Sequence, residues 1–196
     1  MIEYIKGEII ELSPAHVVVE TGGIGYFINI TLPVYSQLTG KSNSKLYIYE
    51  AIREDAHLLY GFITTTEREL FLHLLSVSGV GASTARMIMS SLSVAEIRDI
   101  ILSGNAAALK SVKGIGLKTA ERIIVDLKSK MLKIETEEGG GAQLFAAGNT
   151  VKNEAVSALE MLGFNRQASQ KAVDKILQNE PSSKVEQVIK LALKMI

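Results

Sequence analysis

A twelve-residue pattern occurs twice in this chain, and it limits the possible folds more than any other feature. Val77 to Ile88 reads VSGVGASTARMI and Val112 to Ile123 reads VKGIGLKTAERI, at a constant offset of 35 residues. Six of the twelve positions are identical: Val77/Val112, Gly79/Gly114, Gly81/Gly116, Thr84/Thr119, Ala85/Ala120 and Ile88/Ile123. Each copy follows an apolar, helix-like stretch and runs into another, so the unit is helix, G-Φ-G turn, helix, with Φ an aliphatic residue. Glycine tolerates positive φ, which suits two glycines around one aliphatic residue to a tight turn. Val80 or Ile115 would plug the groove between the two helices. The turn leaves N–H groups free at the start of the second helix, where the helix dipole is positive. Free amides at a helix start form an anion site. Two such sites suit two phosphates of one nucleic-acid backbone, read without regard to base sequence. A hairpin that needs its glycines only for packing is the alternative for a single copy. Two near-identical copies with Lys118 and Arg122 adjoining favour backbone contact.

The net charge of zero conceals a strong asymmetry. Residues 1–65 hold four Lys/Arg against seven Asp/Glu, residues 66–133 ten against six, residues 134–150 none against three, and residues 151–196 seven against five. The excess positive charge therefore lies with the two hairpins, where phosphate contact needs it. Hydrophobic residues make up 47% of the chain, enough for a sizeable core. No apolar run reaches the roughly 18 residues of a membrane span. The start, MIEYIKGEIIEL, lacks the layout of a signal peptide and points to a cytoplasmic protein. With no cysteine, disulfides and Cys-ligated zinc or iron–sulfur clusters are excluded. His16, His57 and His73 are scattered in apolar surroundings and read as structural. No metal or other cofactor is expected.

Four segments follow along the chain. Residues 1–65 read as five strands: Ile2–Leu12, His16–Thr21, Gly25–Thr31, Lys45–Arg53 and His57–Phe62. They are separated by Ser13-Pro14, Gly22-Gly23, Thr39-Gly40 and Glu54-Asp55. A short helix at Leu32–Leu38 would close one end of an OB-like barrel. Residues 66–133 read as helices: Glu67–Leu75, Val94–Ser103 with Ser93 and Glu96 as a capping box, Asn105–Ser111 and Thr119–Met131. Ile115, Ile123, Ile124 and Leu127 would line the buried face. Residues 134–149, IETEEGGGAQLFAAGN, read as a flexible linker. Residues 150–196 read as three helices, Lys152–Leu162, Arg166–Gln178 and Lys184–Met195. Gly163 would end the first, and Pro181 with Ser182-Ser183 would start the last. Such a three-helix unit is similar to ubiquitin-associated-type domains, which mostly serve as protein docking surfaces.

The two repeats resemble tandem helix-hairpin-helix motifs. Their surroundings resemble the RuvA family, the Holliday-junction-binding subunits of bacterial RuvAB branch-migration complexes. The resemblance covers the whole chain. It rests on MIEYIKGEIIEL, on REDAHLLYGF at Arg53 to Phe62, on both hairpins, on the glycine-rich linker and on MLGF at Met161 to Phe164, in that order and spacing.

The resemblance implies a homotetramer that holds a four-way DNA junction open and square, each subunit offering its hairpins to one arm. It implies recruitment of the hexameric RuvB ATPase, RuvC resolvase as a further partner, and a place in recombination, DNA repair and the SOS response. No catalytic site is implied. The DNA-contact residues would be Gly79, Val80, Gly81, Ser83, Thr84 and Arg86 in the first hairpin. In the second they would be Lys113, Gly114, Ile115, Gly116, Lys118, Thr119 and Arg122. Glu54 and Asp55 would form an acidic pin at the junction centre, where an ordinary polar turn is the plain alternative. Leu159, Leu162, Phe164 and Leu193 would contact RuvB, unless Leu159 and Leu193 merely form the core of the small domain. The chain departs from the family's pattern at Ser83, where a lysine is frequent, and at Leu117, where a basic residue is common. Weaker, more salt-sensitive binding at an unchanged site is the expectation.

Three other readings need weighing. GIGLKT at Gly114–Thr119 resembles a phosphate-binding loop, but it lacks the required spacing and follows a helix instead of a strand. Helix-hairpin-helix DNA glycosylases carry a catalytic lysine in a similar hairpin, where Lys118 stands. They also need an aspartate downstream, and Lys133 to Gly141 has only Glu135, Glu137 and Glu138. An OB groove binds single strands by aromatic stacking, and Tyr4, Tyr26, Phe27, Tyr47 and Tyr49 are available. Alternation puts Tyr47 and Tyr49 on one face, and core packing is the favoured reading for both, since the basic residues of a strand-binding groove are sparse here.

Overall fold

The computed structural model describes residues 1–132, 134, 147–180, 183–193 and 195. The chain divides into two compact units, Met1–Glu137 and Glu138–Ile196.

The first unit begins with five strands, β1 (Tyr4–Leu12), β2 (His16–Thr21), β3 (Ile24–Asn29), β4 (Asn43–Ile52) and β5 (His57–Phe62). They close into a barrel in the order β1-β2-β3-β5-β4, antiparallel except for the β3–β5 pair. A helix, α1 (Leu32–Leu38), joins β3 to β4, with Thr31 as its N-cap. Period-2 alternation explains the barrel core. In β2, Val17 and Val19 point inward and Val18 does not; in β4, Leu46 and Ile48 do. Ile5, Ile28, Ile30, Val34, Leu38 and Leu59 complete this core. β1 must pair with both β2 and β4, and Gly7 permits it: a Cβ there would run into the Glu20 carbonyl.

That alternation corrects the expectation for Tyr47 and Tyr49. Both lie on the outer face of β4, because Leu46 and Ile48 take the inner one. Tyr49 packs outward on Phe71 at 5.5 Å between ring centroids. Tyr47 sits under Lys45 and Arg68, which lie 4.6 Å and 5.5 Å from its ring centroid.

Five helices follow: α2 (Thr65–Leu75), α3 (Ala82–Ser91), α4 (Val94–Ser103), α5 (Ala106–Lys110) and α6 (Leu117–Met131). Their shared core holds Leu70, Leu74, Ile88, Ile97, Ile101, Leu109, Ile123 and Leu127, and it includes Tyr60 and Phe62 from β5. β5 is therefore buried on both faces, with Leu59 in the barrel core and Tyr60 and Phe62 against Phe71 of α2. This shared strand is why barrel and hairpins form one unit. The capping box at Ser93 and Glu96 is present, and a second one joins Thr64 and Glu67. The second starts α2 two residues before the expected Glu67.

The second unit packs α7 (Ala147–Met161), α8 (Arg166–Asn179) and α9 (Val185–Ala192) around Ala155, Leu159, Val173, Ile176 and Val188. Gly163, at φ 94°, ends α7. Its amide bonds the Glu160 carbonyl, and that of Phe164 bonds Leu159, closing a Schellman motif. The linker expected over 134–149 lies mostly outside the described residues, as do Pro181 and Ser182. At the linker's ends, Ile134 is buried in the hairpin core and Ala147 already belongs to α7.

Candidate nucleic-acid interface

The α2–α3 and α5–α6 pairs are two copies of one device. In each, a helix ends, a short turn reverses the chain, and a second helix starts on a glycine. Gly79 has φ 90° and Gly114 has φ 91°, a backbone region that L side chains rarely adopt. Gly81 and Gly116 differ: they stand as N-caps at φ −92° and −83°, extended backbone open to any residue. Only the first glycine of each pair is demanded by the turn, contrary to the expectation that both are. At Gly81 and Gly116 an added Cβ would meet nothing within 4 Å, so their lack of a side chain leaves open space at the helix start. Val80 and Ile115 are 6% exposed and anchor each turn in the core. They can offer DNA their backbone but not their side chains.

The contrast in capping is the main observation. In the same unit, α1, α2, α4 and α5 have a leading amide accepted by a side chain, from Thr31, Thr64, Ser93 and Asn105 respectively. α3 and α6 have no side-chain cap. Among the described residues, no group accepts from the amides of Ala82, Ser83 and Thr84, or of Leu117, Lys118 and Thr119. A helix start leaves such amides in need of a partner, and an anion is the partner that both geometry and dipole favour.

Around the second hairpin, Lys113, Lys118 and Arg122 are exposed and make no ion pair among the described residues. Ser83 is exposed and Thr84 and Thr119 half-buried at the same helix starts. Arg86 does not join this set. Its guanidinium bonds the Ala15 carbonyl at 3.2 Å and Asn29 Oδ1 at 3.0 Å, which ties α3 to the barrel. Sequence spacing could not show this, because the partners lie 71 and 57 residues away.

Glu54 and Asp55 are exposed at the tip of the β4–β5 hairpin, whose last pair is Ile52 with His57. The Arg53 amide closes the turn on the Ala56 carbonyl at 2.8 Å. Behind the tip lies Glu50, which sequence reasoning missed. It accepts from the Ile2 amide at 2.9 Å, pairs with the chain's amino terminus at 3.7 Å and meets His57 Nε2 at 3.3 Å. The Ile2 amide, with help from His57, holds its carboxyl below the usual carboxylate range.

The histidines stand in polar surroundings, contrary to expectation. His16 bridges Ser13 and Glu11 and stacks on Phe27; His73 faces Glu69. In the second unit, Leu159 is fully buried and cannot reach a partner. Phe164 packs on the core, while Leu162 and Leu193 are 60% and 43% exposed beside Met161 and Met195. No helix among the described residues is long and apolar enough to cross a membrane.

A five-stranded barrel joined to two glycine-capped hairpins defines a class of nucleic-acid-binding protein. Family models subdivide it further. Residues 1–61 match the RuvA N terminal domain, residues 71–129 the SAM-like helix-hairpin-helix tandem, and residues 150–196 the RuvA C-terminal domain. Over the full length of both chains, it is 59% identical to the "Holliday junction branch migration complex subunit RuvA" of Bacteroides fragilis. The identity is 58% to the same-named protein of Parabacteroides distasonis and 56% to that of Bacteroides thetaiotaomicron, again over full lengths. The chain belongs to the RuvA family.

Proposed function

We propose that this chain is a non-catalytic, structure-specific DNA-binding subunit that holds four-way (Holliday) junctions open for branch migration in recombination and repair. The carrying observation is the pair of uncapped helix starts, each with three free amides, in a chain of this family. A homotetramer would present eight such starts to four arms, matching its symmetry to the junction. Glu54 and Asp55 would meet near the crossover, where eight carboxylates repel entering phosphates at short range. The exposed Leu162 and Leu193, with the half-buried Phe164, would take up RuvB, the ATPase that moves the arms. RuvC would act on the same junction, the SOS response would be its setting and the cytoplasm its compartment.

A glycosylase is not favoured. Lys118 is exposed at a helix start, whereas base chemistry needs a snug pocket around an extruded base, and the stretch downstream lacks the aspartate. Nor is a stacking groove: Lys45 lies over both Tyr4 and Tyr47, and Tyr49 is packed against α2. Gel-shift titration on a synthetic four-way junction against linear duplex of equal length tests the proposal. Preference for the junction supports it, and equal affinity for both refutes it.

A further inference from the structure

The turn of the first hairpin has no cation of its own. From Val77 to Ala85 there is no Lys or Arg, and Arg86 is bonded to the barrel. The second hairpin has Lys113 at the position equivalent to Ser78 and Lys118 at that equivalent to Ser83. The fold brings one lysine to this gap. Lys130, near the end of α6, places its Nζ 3.0 Å from Ser76 Oγ, two residues before Ser78. Ser76 Oγ in turn donates to the His73 carbonyl at 2.7 Å, so its lone pair is directed at the ammonium. That bond uses one of three N–H donors. No carboxylate pairs with Lys130 among the described residues; nearby Glu69 faces His73 instead.

We propose that Lys130 is a phosphate-binding residue of the first hairpin, supplied across the unit from the helix of the second hairpin. This rests on the reading that the hairpins hold DNA phosphates. The competing role is purely structural, a cation at the C-terminal end of α2 that favours its dipole.

Junction binding by the full chain across a salt series separates the two roles, with Lys130→Gln, Lys130→Arg and Lys118→Ala measured together with thermal unfolding. Each phosphate contact removed should lower the log–log salt slope by about 0.9. Equivalently, the affinity lost between about 50 and 200 mM salt should shrink about three- to fourfold per contact. The expected result is a lower slope for Lys130→Gln and Lys118→Ala, and a slope kept by Lys130→Arg. If Lys118→Ala lowers the slope and Lys130→Gln does not, with or without a fall in melting temperature, Lys130 is only a helix cap and the inference fails alone. If neither changes the slope, the hairpin reading fails and takes this one with it.

Discussion

Alanine at the two glycines of the second hairpin should separate folding from binding. At Gly114, φ is 91° and an added Cβ meets nothing else of the fold within 4 Å, so the cost is confined to the local backbone. A left-handed backbone costs an L residue about 1–2 kcal/mol. Spread over the 137 residues of the first unit, at about 2.1 cal/mol/K per residue, that is a fall of about 3 to 7 °C in melting temperature. At Gly116 the backbone is already extended, φ −83° and ψ 163°. Alanine there gains about 0.4–1 kcal/mol from a less flexible unfolded chain. It loses a similar amount as a poorer N-cap than glycine, so the melting temperature should barely move. Its methyl group, however, projects into the open space where a phosphate would meet the amides of Leu117, Lys118 and Thr119. Losing one hydrogen bond to a charged group costs about 1.5–3 kcal/mol, or about 10- to 150-fold in affinity at that site. Calorimetry and gel shift on a four-way junction would be run on the same preparations. A folded Gly116→Ala protein with unchanged junction affinity would mean that no phosphate approaches that helix start. An unchanged melting temperature for Gly114→Ala would remove the argument for the turn.

Lys118→Ala should weaken binding alike across DNA sequences and lower the salt slope by about one unit; an unchanged slope would rule out the second hairpin as the contact. Replacing Glu54 by Gln and Asp55 by Asn should raise affinity for linear duplex and reduce the junction-to-duplex ratio at fixed salt, because the short-range repulsion is lost. An unchanged ratio in a folded tetramer would leave the pair as a plain turn. A fragment ending at Lys133 should bind junctions yet fail to stimulate RuvB, and Leu162→Asp in the full chain should fail likewise; retained stimulation by both would dispose of the docking role. Glu50 has its pKa lowered in the fold, so its contribution is present at neutral pH and fades as pH falls through that lowered value. Glu50→Gln should therefore flatten the acid limb of a melting-temperature profile, and an unaltered limb would refute it.

Local chemistry makes most of the secondary structure of this protein legible in its residues. The repeated G-Φ-G pattern, the Ser93–Glu96 box, the alternation in HVVVET and Gly163 act within a few residues of themselves. Their elements appear where the sequence places them. The positions of Lys118 at a helix start and of Glu54 and Asp55 at a hairpin tip were legible for the same reason. What remained hidden depends on neighbours distant in sequence. Period-2 alternation says that Tyr47 and Tyr49 share a face but not which one; the inner place belongs to Leu46 and Ile48 only because the barrel closes. Nothing near Arg86 foretells its bonds to Ala15 and Asn29, so a basic residue in the motif becomes a tie between layers. The two glycines of a pair look alike in sequence, and only the backbone path assigns positive φ to the first. Likewise Leu159 and Leu162 differ by less than one helical turn, yet packing in the core with Val173 and Val188 buries one and leaves the other exposed. Short-range stereochemistry fixes where elements begin and end, whereas a side chain's role is set by what the fold brings against it.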